Sequence, residues 1–232
     1  LASIFDNMKS EDSAHLLKYI NEDMRNSIIN NFKLDAKKRE IKTLLNTMDD
    51  DDFKIKNAAE IYSTENPEEL VNIIGNTDTY SIDELALIYK SIGIVKGAQV
   101  LAKLDNETFV HELVSSIKEE EILINDEDLI TEDILKAYKV YRDFDNNVAQ
   151  LTSVYEKMSD AQAADLIKRM IRNSGSPQNY HLSNGEVISI SDEDLAFAIL
   201  TKFSERKVAS ILTYLDTNLA SEITKKLSLP NL

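Results

Sequence analysis

Apolar residues along this chain recur in a block that repeats every twelve residues. From Phe203, four residues lead to Val208-Ala209. One polar residue, the pair Ile211-Leu212 and two further residues then lead to Leu215, which opens a second block running to Leu227. Counted back from the closing anchor, the apolar sites fall at −7, −4, −3 and 0. At 3.6 residues per turn these sites form one stripe, so each block predicts a short amphipathic helix that buries a single face.

The block has several further copies. Met8 leads through Ser13-Ala14 and Leu16-Leu17 to Ile20, and Ile20 through Ile28-Ile29 to Phe32. Ile92 leads through Gly97-Ala98 and Val100-Leu101 to Leu104, after which the next copy slips by one residue. Met158 leads through Ala163-Ala164 and Leu166-Ile167 to Met170, and a half-copy, Ala196-Phe197 with Ile199-Leu200, runs into Phe203. The residue after the anchor is Asn21, Asp105, Ser159, Ser204 or Asp216. These side chains accept hydrogen bonds from the free N–H groups that open a helix, which makes the position a repeated N-cap. Ala, Ser or Gly at −7 and −6 lets two backbones approach closely.

Two successive copies make a helix-turn-helix unit of about 24 residues, within the range that builds α-solenoids. The fold class expected is therefore all-α: a solenoid-like stack of short helical hairpins in two lobes. The first lobe covers residues 1–125, with helices predicted near 10–20, 23–33, 35–47, 54–64, 67–75, 82–91, 95–103 and 106–118, separated by short polar joints. The second covers 126–232. It opens with a long helix on heptad spacing, at Ile134, Tyr138, Tyr141, Val148, Leu151, Tyr155 and Met158, which is expected to bridge the lobes. Between about residues 172 and 191 the helical pattern stops. There Asn184-Gly185 is a hairpin signal and Val187, Ile188 and Ile190 favour strand, so a small hairpin or ordered loop is expected.

Composition narrows the reading. Only 5 Gly and 3 Pro leave little room for turn-rich β architecture. With no Cys there is no disulfide, thiolate site or cysteine nucleophile. A net charge of −15, from 41 acids against 26 bases, opposes binding to nucleic acid, and no apolar run is long enough for a membrane span. Compartment stays open, with the cytoplasm preferred. The start at Leu1, without Met or a signal-like segment, suggests a fragment anchored through a segment upstream.

Candidate chemistry is sparse. His15 and His111 both fall on the polar site outside the stripe and His181 in the inserted loop; no pair has the spacing of a helical zinc site. The acidic runs Asp49 to Asp52, Glu119 to Glu121 and Asp126 to Asp128 lack the alternating ligands and central Gly of an EF-hand. They read as solvated helix ends and caps, with weak Mg2+ binding as the alternative. No glycine-rich phosphate loop, nucleophile elbow or serine triad is present. No catalytic, cofactor-binding or metal residue is assigned.

The copies at Tyr155 to Ile167, Leu195 to Leu200, Val208 to Leu212 and Leu215 to Thr224 resemble the helical repeats shared by the N-terminal intracellular domain of MgtE magnesium transporters and by MotE-like flagellar proteins; the rotor protein FliG has more distantly similar units. The resemblance is strongest over residues 151–227. It departs where Thr217 replaces a customary Pro and where residues 172–191 interrupt a compact spacing. It implies a non-enzymatic module for protein partners, flagellar motor or membrane components among them, or else a magnesium-responsive regulatory domain. The closing position of the best copies favours the flagellar group.

Overall fold

The computed structural model describes residues 1–124, 130–172 and 175–228. Among these the chain is an all-α helical stack of thirteen helices with one two-stranded sheet. Close contacts divide it into two compact units. The first comprises residues 1–65, 72–93 and 106–131, and the second residues 66–71, 94–105 and 132–232.

In the first unit, α1 (Ala2–Asn7), α2 (Ser10–Lys18), α3 (Glu22–Asn30), α4 (Asp35–Thr64), α6 (Ile82–Ile92) and α8 (Glu107–Ile124) supply the scaffold, and α5 (Pro67–Ile74) contributes its residues from 72 onward. Both α2 and α6 pack along α4, and α8 packs on α6. Phe5, Ala14, Leu17, Ile28, Ile29, Phe32, Ile41 and Leu45 form one buried cluster. Tyr89 is fully buried and donates its hydroxyl to the Ile74 carbonyl at 3.0 Å, so burial of its polar atom is compensated.

The helices predicted at 35–47 and 54–64 are a single helix, α4, and the joint expected between them does not exist. The residues at 41, 45, 48, 52, 55, 59 and 62, spaced alternately by four and three, are buried or half-buried without a break. No Gly or Pro interrupts them. Asp49 to Asp52 consequently lie inside a helix rather than at an end or cap. Asp52 is half-buried and pairs across to α2, with Lys18 at 2.7 Å, while Asp51 pairs within α4. The helix predicted at 106–118 likewise continues to Ile124.

The second unit is built from α7 (Ile94–Ala102), α9 (Thr131–Glu156), α10 (Asp160–Arg172), α11 (Asp192–Lys202), α12 (Glu205–Thr213) and α13 (Thr217–Ser228). α9 belongs to it from Glu132 onward. Helix α10 packs on α11 and α12, and α11 on α13. The core joins Val148 and Tyr155 of α9 to Ala163, Ala164, Ile167, Ala196, Ile199, Leu200, Phe203, Ile211, Leu219 and Ile223. Between α10 and α11, strands β1 (Gln178–His181) and β2 (Val187–Ile190) pair antiparallel, with Tyr180 opposite Ile188. Asn184-Gly185 does lie in the turn, but the connection runs from 182 to 186 rather than being two residues long. Gly185 closes it by donating to the Leu182 carbonyl at 3.2 Å with φ +89°, a conformation costly for any residue with a Cβ.

Candidate functional site

The repeat block has a recurring backbone signature. At seven anchors, Met8, Ile20, Phe32, Leu104, Met158, Phe203 and Leu215, the backbone N–H donates to the carbonyl three residues earlier, at 3.1–3.3 Å. Each anchor therefore ends one helix in a tight last turn. After Ile20, Leu215 and Phe203 the next helix opens at once on a side-chain cap: Asn21 accepts from the Met24 N–H at 3.0 Å, Asp216 from Leu219 at 3.2 Å, and Ser204 from Lys207 at 3.3 Å, whereas the helices after Met8 and Phe32 open at Lys9 and Leu34 with no side-chain cap. Ser159 and Gln162 cap reciprocally. The expected cap Asp105 does not act as one. Asn106 accepts from the Phe109 N–H at 3.1 Å, because the copy slips there by one residue, and Asp105 instead meets Arg142 at 3.2 Å.

Three anchors share a feature that the sequence does not announce. The carbonyls of Met8, Leu104 and Met158 each accept from a distant cation: Lys37, Arg142 and Lys207 respectively. Free carbonyls at a helix C-terminus carry partial negative charge, and a cation there satisfies them. Lys207 also pairs with Asp160 at 2.6 Å, and Ser210 donates to the same carboxylate. Those bonds hold the Asp160 carboxyl below its ordinary value, the bond from Lys207 having the larger effect.

In three of the blocks the two adjacent aliphatics separate by exposure, whereas Ile28-Ile29, Val100-Leu101 and Ile199-Leu200 are buried as pairs. Leu17 is 0% exposed against 37% for Leu16, and Ile211 and Ile167 are fully buried beside the half-exposed Leu212 and Leu166. Ser13, Ala14, Ala163 and Ala164 are buried at the close-approach sites. The outward apolar residues Leu16, Met24 and Tyr214 stand on the solvent side.

Two clefts add chemistry. One, of about 410 Å³ in the first unit, gathers Asp51, Asp52, Asp83, Glu84, Glu119 and Glu120. Two of the acidic runs thus meet there because α4 is unbroken and α8 is long. Most of these carboxylates are engaged: Asp52 with Lys18, Asp51 with Lys54 at 2.7 Å, Asp83 with the Ser116 hydroxyl at 3.0 Å, and Glu84 in a capping box with Ser81. Glu120 lies 3.6 Å from Lys90. Burial pushes its carboxyl up, against the opposing pull of Lys90 and Lys18. Among the described residues no three His, Asp or Glu side chains are grouped to hold a metal ion. His15 stacks edge-on against Tyr19 with ring centroids 5.6 Å apart, while His111 and His181 are exposed elsewhere. The run from Asp126 to Asp128 lies outside the described residues.

The second cleft, of about 460 Å³ in the second unit, lies between α9, the hairpin and the start of α11. Its walls include Val140, Phe144, Tyr180 and Leu195. The hairpin beside it is firmly held. Both oxygens of Asp133, 3% exposed, accept from the Ser183 N–H at 2.9 and 2.8 Å, and Lys136 donates to the His181 carbonyl. Leu182 and Ile188 are buried beneath it. Asp133 and Lys136 lie about fifty residues from their partners, so local pattern gives no sign of them.

Among the described residues, no helix is long and apolar enough to cross a membrane. No family model, no curated protein and no solved structure matches the chain.

Proposed function

We propose that this chain is a non-catalytic helical-repeat module that docks other proteins, and that it serves flagellar motility or assembly in the manner of MotE-like proteins. The observation that supports this reading is the seven-fold recurrence of one helix end, with its anchor closure and single buried stripe, in both units. A repeat that spends its buried face on packing leaves a regular outer face for partners. The flagellar assignment rests on the resemblance of residues 151–227 described above. Deletion of the gene in its own organism is expected to impair swimming or flagellar assembly. Normal swimming with normally assembled flagella would refute it.

A magnesium-responsive role, similar to that of the MgtE N-terminal domain, is the second reading. In its favour stands the gathering of six carboxylates at the first-unit cleft. Against it stand the Lys and Ser partners that already engage most of them, so no resident ion is assigned. Heat and compaction on adding millimolar magnesium would support it, and neither would appear if the cleft is only a solvated surface.

A further inference from the structure

The hairpin is the only sheet among the described residues, and it is two strands wide. Leu182 donates its backbone N–H to the Glu186 carbonyl at 2.9 Å. In an antiparallel ladder, hydrogen-bonded and non-hydrogen-bonded pairs alternate. With Leu182 opposite Glu186 as a bonded pair, Tyr180 and Gln178 direct their backbone groups inward to β2. Asn179 and His181 direct theirs outward, along the outer edge of β1. The bond from Lys136 to the His181 carbonyl agrees with this, since Lys136 stands on the wall of the adjoining cleft. The outward edge of β1 therefore runs beside a cavity.

We infer that the β1 edge and this cleft together bind an extended peptide segment of a partner protein, which adds as a third strand and lays a side chain into the cleft; this rests on the docking reading above. The chemistry of the edge selects the occupant. The His181 carbonyl is taken by Lys136; the outward N–H and C=O of Asn179 and the outward N–H of His181 are matched by another extended backbone, and an exposed strand edge is a template for one. A two-stranded ribbon is marginal alone, whereas a third strand adds pairing. The cleft is also of a size to take side chains and has apolar walls in Phe144, Tyr180 and Leu195.

Charge sets the polarity of the segment. Lys136, bonded to the His181 carbonyl, and Lys139 line the cleft from the earlier part of α9, and Asp143 and Asp192 line it farther along α9 and at the start of α11. The best-fitting segment carries an acidic side chain toward the lysines, an apolar one over Phe144 and Leu195, and a basic one toward the aspartates. The firm seating of the hairpin by Asp133 means that the edge is presented ready-made, so little ordering is needed on binding.

The test uses the full chain and the blocked heptapeptide acetyl-Glu-Thr-Val-Phe-Val-Thr-Lys-amide, followed by amide NMR. Binding is expected to shift the Asn179 and His181 amides first, and a counterpart peptide with proline at alternate positions is expected not to bind. Asn179→Pro removes an outward N–H from an edge position where proline is tolerated, so it should keep the fold and weaken binding about tenfold or more. Lys139→Glu, at an exposed position, should weaken this peptide and favour its charge-reversed counterpart. The inference is overturned if millimolar peptide leaves the two amides unmoved, if the shifts fall on helices alone, or if Asn179→Pro binds equally well. Any of these with a swimming defect in the deletion strain would discard the strand site while leaving the docking reading intact.

Discussion

The sharpest consequence of the repeat register concerns adjacent leucines. Leu16 and Leu17 are chemically identical and one residue apart, yet Leu17 is 0% exposed within the cluster of Phe5, Ile29, Phe32 and Ile41, while Leu16 is 37% exposed. Truncating Leu17 to Ala removes three carbon groups from that cluster. At about 0.8 kcal/mol each this forfeits about 2.4 kcal/mol, and the unfilled cavity adds to it, giving about 3–4 kcal/mol. Truncating Leu16 removes carbons that already touch water and leaves no closed cavity, so about 1 kcal/mol is expected. Urea unfolding followed by far-ultraviolet circular dichroism measures the difference. With a slope of about 2 kcal/mol per molar urea, Leu17→Ala should lower the midpoint by about 1.5–2 M and Leu16→Ala by about 0.5 M. Ile167 against Leu166 and Ile211 against Leu212 should repeat the contrast in the second unit. Equal costs within each pair, or the reverse order, would refute the register.

Other expectations follow from single groups. Asp133→Ala removes the charged acceptor of the Ser183 N–H and should cost about 1–3 kcal/mol locally; faster hydrogen exchange at Ser183 and Asn184, with α12 unaffected, is the check. For Glu120, burial raises the folded-state value above the ordinary 4.5, so the stability it contributes is present at lower pH and lost as pH rises through the raised value. Glu120→Gln should remove that fall from the urea midpoint of the first unit; an unchanged profile would contradict it. Asp160 shows the opposite sign. Its lowered value means stability present above the ordinary 3.8 and lost as pH falls through the lowered one, so Asp160→Asn should destabilise the second unit at neutral pH and converge with wild type in acid.

Much of the helical order was legible because each copy of the block repeats its own evidence: a stripe, an anchor and a cap. Phe203, Leu215, Asn21 and Ser204 do locally what their spacing says. The joint placed between 47 and 54 failed because a run of aspartates resembles a loop by composition, whereas helix continuity depends on the stripe through Met48, Asp52 and Ile55, which never lapses. Asp105 failed as a cap because a one-residue slip hands the position to Asn106. The hairpin was visible in Asn184-Gly185 and Val187 to Ile190. What holds it was not, since Asp133 and Lys136 act across a long loop closure that periodicity does not encode. The same holds for Lys37, Arg142 and Lys207, surface cations by pattern that the fold places on three anchor carbonyls.

Whether the repeats dock another protein is tested most directly by site-specific photo-crosslinking in the cell, with a photoreactive residue at Leu16 or Met24 of the first unit or Tyr214 of the second, each an exposed apolar side chain. A docking module should yield a discrete adduct with the same second polypeptide from one or more of these positions, and no adduct from the fully buried Ile211. The absence of any protein adduct at all three positions, in cells where the chain is folded and abundant, would contradict it.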